Sequence, residues 1–304
     1  MAGLKAIKSK IKSVEKTQKV TKAMEAVSAA KMRKTQQRAL HGRAYARAAA
    51  AVLARTSGSR ELMAHPLALV RPVNRALYIV ITSDKGLAGA LNSAVLRASA
   101  ADIAARGLSN KQIEVVAVGR KANDFFTVRG FEISAFHPNT DQVSSELISE
   151  LVHDAAQRYM AGEVDEVKIV YQNFVSTFEQ RPTLRTVFPL SIGELRLVVE
   201  DILPARGVYA KPAQVEESPS VYSVEPSEGE VLTAILPRLA SIFVYHALLE
   251  TQASEHSARM VAMKSASDKA GEMRGSLTLK FNKARQAAIT REVSEITGGM
   301  EAMA

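Results

Sequence analysis

LASIFVYHALLETQASEHSARMVAMKSASDKAGEMRGSLTLKFNKARQAA, the run from Leu239 to Ala288, decides the fold. Leu239, Ile242, His246, Leu249, Ala253, His256, Met260, Met263, Ser267, Ala270, Arg274, Leu277, Phe281, Ala284 and Ala288 follow one 3-4 alternation. That is about seven heptads, more than the three or four that argue a coiled coil. No proline follows Pro237. The seam is rich in alanine and methionine, and Gly271 and Gly275 interrupt it, which suits a coil able to flex better than a rigid zipper. Gly298 and Gly299 mark the stop.

The other end of the chain mirrors this pattern. Residues 3–56 hold no proline, and Ala, Lys, Arg, Met and Gln, all strong helix formers, dominate. A helix of that length extends for about 80 Å, so it must lie against something else. Leu4, Ile7, Ile11 and Val14 open a heptad seam. The same register then meets Gln18, Thr21, Glu25 and Ser28, with Met24 and Val27 one position off. The two ends are long enough to pair antiparallel.

Between them, apolar runs alternate with helical stretches. Strands are predicted at Ala76–Thr82, Ile113–Val118, Phe131–Phe136, Val167–Phe174 and Thr183–Phe188. Helices are predicted at Asn92–Arg106, Arg120–Val128 and near Gln142–Met160. Fully apolar strands alternating with helices indicate an α/β fold, a Rossmann-like domain whose mainly parallel five-stranded sheet is covered on both faces. The last two strands have no helix between them and read as a hairpin. The layout is an N-terminal coiled-coil helix at 1–60, an α/β domain at 70–190, an irregular proline- and acid-rich connection at 191–230, and a C-terminal coiled-coil helix at 231–304.

The chain has 304 residues and no cysteine, which excludes disulfides, thiolate catalysis, thiol control and cysteine-ligated metal centres. The net charge of +9 is unevenly spread: residues 1–60 carry 15 Lys+Arg against 2 acids. Such an arm calls for acidic surroundings, whether nucleic acid, an anionic surface or an acidic protein. As a transit peptide it is too long, too lysine-rich and too orderly. Tyr45 is the sole aromatic in residues 1–60, which leaves almost no stacking surface for single-stranded nucleic acid. Val231–Leu249 has the length of a membrane span, but Pro237-Arg238 and the heptad beyond argue for a helix that buries its whole circumference against the α/β domain.

The stretch Ser83-Asp-Lys-Gly-Leu-Ala-Gly-Ala-Leu-Asn92 follows the first strand, where α/β folds commonly bind ligands. Its glycines lack the spacing of either phosphate-loop motif, so a tight strand-to-helix turn is the stronger reading, with a phosphorylated-substrate enzyme site the weaker one. The histidines at 41, 65, 137, 153, 246 and 256 form no metal or triad pattern.

Several stretches together resemble the gamma subunit of F-type ATP synthases. They are Thr21-Lys-Ala-Met-Glu25 with Val27, Ala30, Lys31, Met32 and Arg33, the turn Ser83–Asn92, Ser254–Lys264, and Phe281–Thr290. The resemblance covers nearly the whole chain. It implies a rotor shaft, an antiparallel coil inside a ring of three alpha and three beta subunits, which couples rotation of a ring of c subunits, driven by ion flow, to the cycling of the beta catalytic sites. It implies no active site and no cofactor on this chain, since ATP, ADP and Mg belong to the alpha and beta subunits.

Further partners implied are the epsilon subunit and the c-ring, with no nucleic acid and membrane contact only through the c-ring. Lys22 and Met24 would pass the acidic levers of beta, and Arg285, Gln286 and Thr290 would catch a beta loop. Tyr222, with Glu225-Pro226, resembles a foot segment touching the c-ring, although Val224 replaces an aromatic of the pattern. The implied location is the cytoplasmic face of a bacterial inner membrane, with a processed mitochondrial chain as the other origin. The alternative function is a nucleic-acid or anionic-surface binding protein that uses the basic arm.

Overall fold

The computed structural model describes residues 2–56, 60–140, 144–191 and 227–301. In chain order the elements are α1 (Ala2–Thr56), α2 (Arg60–Ala64), β1 (Ala76–Ile81), α3 (Leu91–Arg106) and β2 (Ile113–Val118). After these come α4 (Arg120–Val128), β3 (Glu132–His137), α5 (Ser145–Ala161), β4 (Glu166–Phe174), β5 (Gln180–Phe188) and α6 (Glu228–Glu301). The sheet order is β3-β2-β1-β4-β5. All neighbours are parallel except β4 and β5, which form the expected hairpin.

Hydrophobic pattern and place in the sheet agree strand by strand. All six residues of central β1 are buried, whereas edge strand β3 alternates between exposed and half-buried. Because successive side chains point to opposite faces, Leu77, Ile79 and Ile81 enter one core and Ala76, Tyr78 and Val80 the other. The first core packs under α5 and the first half of α6; the second packs under α3 and α4. β5 begins earlier than its apolar run, at Gln180, because an edge strand tolerates Pro182. α5 starts with Ser144 as its cap, the Ser144 hydroxyl accepting from the Leu147 N–H at 3.2 Å, and stops at Gly162 in the left-handed region.

The chain forms two compact units, Met1–Ala30 with Arg259–Ala304, and Lys31–Ala258. In the first, two close approaches set the direction of pairing. Gly271 faces the Gln18 amide, and Arg274 lies near enough to Glu15 to act on its charge. A step towards the N-terminus of α1 is matched by a step towards the C-terminus of α6, so the helices run antiparallel. The 3-4 register of α1 does not shift towards Met24 and Val27. It runs straight through Gln18, Thr21, Glu25 and Ser28, with Ser28 3% exposed and Val27 56% exposed. Gly271 does not break the seam either: a Cβ there would sit 2.9 Å from the Gln18 amide nitrogen, so the missing side chain makes room for it.

In the second unit, α6 departs from expectation. Val231–Leu249 does not bury its whole circumference, since Thr233, Ala234 and Arg238 are exposed. Burial on all sides comes later, at His246–Ser257, where only Glu250 is less than fully buried. By composition α6 is apolar enough to cross a membrane, yet half of its most apolar window is buried within the protein. The helix also begins at Glu228 rather than 231, with Ser227 accepting from the Glu230 N–H at 3.3 Å. Most of the expected 191–230 connection lies outside the described residues.

Candidate partner interface

The candidate contact residues fall into two sets on the first unit. Lys22 is exposed and donates to Glu25 at 3.1 Å, while Met24, two residues on and so on the other side of the helix, is half-buried. Arg285, Gln286 and Thr290 are all exposed on α6. Thr290 donates its hydroxyl to the Gln286 carbonyl at 3.0 Å, which leaves its oxygen lone pairs and the Gln286 amide turned outward. From the pairing of Gln18 with Gly271, Lys22 stands level with Ser267 and Arg285 with Leu4. The two sets are thus about 18 residues, or about 27 Å, apart along the coil, too far to act as one site. Tyr222 lies outside the described residues.

Around them the surface is basic. Lys5, Lys8, Lys10, Lys12, Lys16, Lys19 and Lys22 are all exposed on α1. Lys19, 3.0 Å from Glu15, holds that carboxyl below its ordinary range, and Arg274 lowers it further. Two acids among so many cations leave a net positive field that an external acidic group would neutralise.

The turn at Ser83–Asn92 is filled by its own chain. Asn92 accepts from the Ser83 N–H at 2.9 Å and donates to the Ser83 hydroxyl at 2.7 Å, and that hydroxyl donates to the Lys85 carbonyl at 2.6 Å. Asp84 accepts from the Arg120 N–H at 2.9 Å and from the Asn139 N–H at 3.2 Å. Its carboxylate therefore occupies the start of α4, where an anion would otherwise bind. The turn is thus closed by its own side chains, which supports the tight-turn reading. Leu87, at φ 63 and 63% exposed, forms the tip.

No other chemistry gathers among the described residues. None of their His, Asp and Glu side chains form a group able to hold a metal ion. His246 and His256 are buried on the α6 seam, and exposed His153 meets the Gln157 amide at 2.9 Å. A shallow cavity of about 200 Å³ opens at the opposite end of the strands from the Ser83–Asn92 turn, lined by Val70, Arg71, Asp165, Glu166 and Thr186 among others. It is smaller than usual small-molecule sites.

The pattern did not reveal one cluster, in which Tyr78 donates to Asp102 at 2.6 Å, Lys168 donates to it at 3.0 Å, and Arg106 pairs with both Asp102 and Glu166. Burial works to raise the Asp102 pKa, but the Tyr78 and Lys168 hydrogen bonds and the Arg106 charge bring it below the ordinary value. With every charge matched and the group under α3, this cluster ties helix to sheet.

The described residues thus comprise a basic antiparallel helix pair joined in sequence to a mainly parallel sheet. The family model described as ATP synthase matches residues 3–303. ATP synthase gamma chains from Heliobacterium modesticaldum and Desulfitobacterium hafniense are 39% and 40% identical, each alignment covering 100% of both chains. Solved structures add likeness of fold. A chain of the Euglena gracilis mitochondrial ATP synthase OSCP/F1/c-ring assembly has a TM-score of 0.65 at 20% identity, covering 99% of this chain and 95% of that one. One from the Tetrahymena thermophila mitochondrial ATP synthase central stalk and c-ring has a TM-score of 0.57 at 23% identity, covering 82% and 99%. The chain belongs to the ATP synthase gamma chain family, and so is a subunit of that enzyme complex. Nothing in these comparisons supports the nucleic-acid alternative.

Proposed function

We propose that this chain is the central shaft of an F-type ATP synthase, turning within a ring of three alpha and three beta subunits. The observation that carries the reading is the first unit: an antiparallel pair whose seam turns small and polar beyond Val14 and whose outer face is diffusely basic. A shaft facing three equivalent partners in turn cannot be held by one deeply complementary contact. Coulomb attraction varies gradually with angle and so suits a bearing. Each shaft angle favours one arrangement of the three beta conformations over the others, so rotation shifts their populations.

In this reading the chain holds no cofactor, and ATP, ADP and Mg sit on the alpha and beta subunits. The c-ring and the epsilon subunit are partners at the other end, and the chain is peripheral on the cytoplasmic face of the membrane. The names of the full-length relatives, and the fold shared with chains of central-stalk and c-ring assemblies, support it.

Lys22 and Met24 face acidic levers of beta, Arg285, Gln286 and Thr290 form an angle-dependent catch, and Tyr222 contacts the c-ring. Arg285→Ala with Gln286→Ala tests the catch in the reconstituted complex. About one hydrogen bond's net worth, ~1 kcal/mol, corresponds to a turnover about five-fold lower. Normal turnover by the double variant removes the catch.

A further inference from the structure

The hydrophobic packing of α6 on the sheet gives way, over Glu250–Ser257, to buried polar side chains that the family comparison does not explain. Thr251, Ser254 and Ser257 are each 0% exposed, and Gln252 is 4% exposed. All four hydrogen-bond across to the end of the sheet. The Thr251 hydroxyl accepts from the Gln172 N–H at 3.1 Å, and Glu250 accepts from the Phe174 N–H at 3.0 Å. Ser254 donates to the Gln172 carbonyl at 3.4 Å and Ser257 to the Thr177 carbonyl at 2.7 Å. Gln252 donates to the Asn139 side chain at 2.9 Å and to the Thr140 carbonyl at 2.8 Å.

At about 100° per residue, Glu250, Ser254 and Ser257 share one stripe of the helix, and Gln252 points about 200° away from Glu250. The bonds therefore reach α6 from opposite sides, from β4 and its hairpin turn on one and from the segment after β3 on the other. Asn139 is itself fixed, donating to the Thr82 carbonyl at 2.8 Å and to Asp84 through its backbone. The grip is thereby anchored beside central strand β1.

We propose that this polar collar is the device that locks α6 in rotation about its own axis against the sheet. Residues Thr251, Gln252 and Asn139 act as positioning residues that pass torque between the α/β unit and the helix. Apolar burial is non-directional, so by itself it fixes the rotation of a helix less sharply than bonds of set direction do. Buried hydrogen bonds are directional and strong in dry surroundings, and two opposed sets cannot survive a rotation. The inference rests on the shaft reading, since a lock against torque matters only where torque is transmitted.

The test uses the assembled, membrane-reconstituted complex carrying Thr251→Val with Gln252→Leu, which keep side-chain volume while removing the bonds. Two readings are taken. One is the ions pumped per ATP hydrolysed. The other is the spread of distances between spin labels on Ser134→Cys and Arg238→Cys, both exposed positions in a chain without native cysteine. The expected result is a broader distance distribution and a drop of about two-fold in pumping per ATP, with ATP hydrolysis itself maintained. A structural filler role would lower stability and leave that ratio unchanged. An unaltered distribution or an unaltered ratio overturns the lock. If the pair does not assemble, Thr251→Val alone is read in the same way with the same two outcomes. A parent complex that hydrolyses ATP without coupling it to ion movement overturns the shaft reading itself, a failure visible before any variant is made.

Discussion

Single residues hold the top of the sheet together. Gly119 has φ 98, and a Cβ there would lie 2.2 Å from the Thr82 carbonyl oxygen. The Thr82 hydroxyl also accepts from the Ala122 N–H at 2.9 Å, so neither side can retreat. Gly119→Ala is expected to lower unfolding stability by at least about 3 kcal/mol, read by urea denaturation. His65 is 7% exposed; its Nδ1 accepts from the Leu67 N–H at 3.2 Å, which puts the proton on Nε2 facing Thr233 at 3.3 Å. Burial pushes its pKa below 6.5. A folded state that favours neutral His65 gains stability that is fully present above the unfolded value and is lost as pH falls through the lower folded value. Stability should therefore fall as pH drops through about 6.5 and below, and less steeply in His65→Gln, with urea midpoints as the readout.

At the scale of elements, Gly271 and Gly275 in the middle of α6 separate conformational expense from packing. Gly275 has nothing within 4 Å of a new Cβ, so Gly275→Ala is expected to stabilise by about 0.5–1 kcal/mol through helix propensity alone. Gly271→Ala gains less, because the Gln18 amide must move aside; paired thermal melts of the two variants check the difference. The elements were largely legible in the sequence for physical reasons. Six consecutive apolar residues at Ala76–Ile81 have no solvent face to show, which marks a central strand. The lack of a helix between Val167–Phe174 and Thr183–Phe188 leaves only a hairpin. The polar collar was not legible, because Thr251 and Gln252 read as ordinary seam neighbours until the topology brings Gln172 and Asn139 across to them. The role of Asp84 was not legible for the same reason: its partners, the Arg120 and Asn139 N–H groups, are brought to it only by the fold.

At the scale of the whole molecule, the described residues that motif resemblance singled out form two separate sets on the coil rather than one cavity. The roles proposed for them rest on resemblance alone, since exposed lysine, arginine and glutamine on a helix carry no signature of a partner. The basic face of α1 bears on assembly: binding of the chain to its partner ring should weaken as ionic strength rises above about 0.15 M, measured by the salt needed to dissociate it. The most direct test of the shaft is motion. With the beta subunits fixed to a surface and a probe attached through Ser134→Cys, adding ATP should turn the probe continuously in one direction. A probe that stays still while the same complexes hydrolyse ATP would contradict the account.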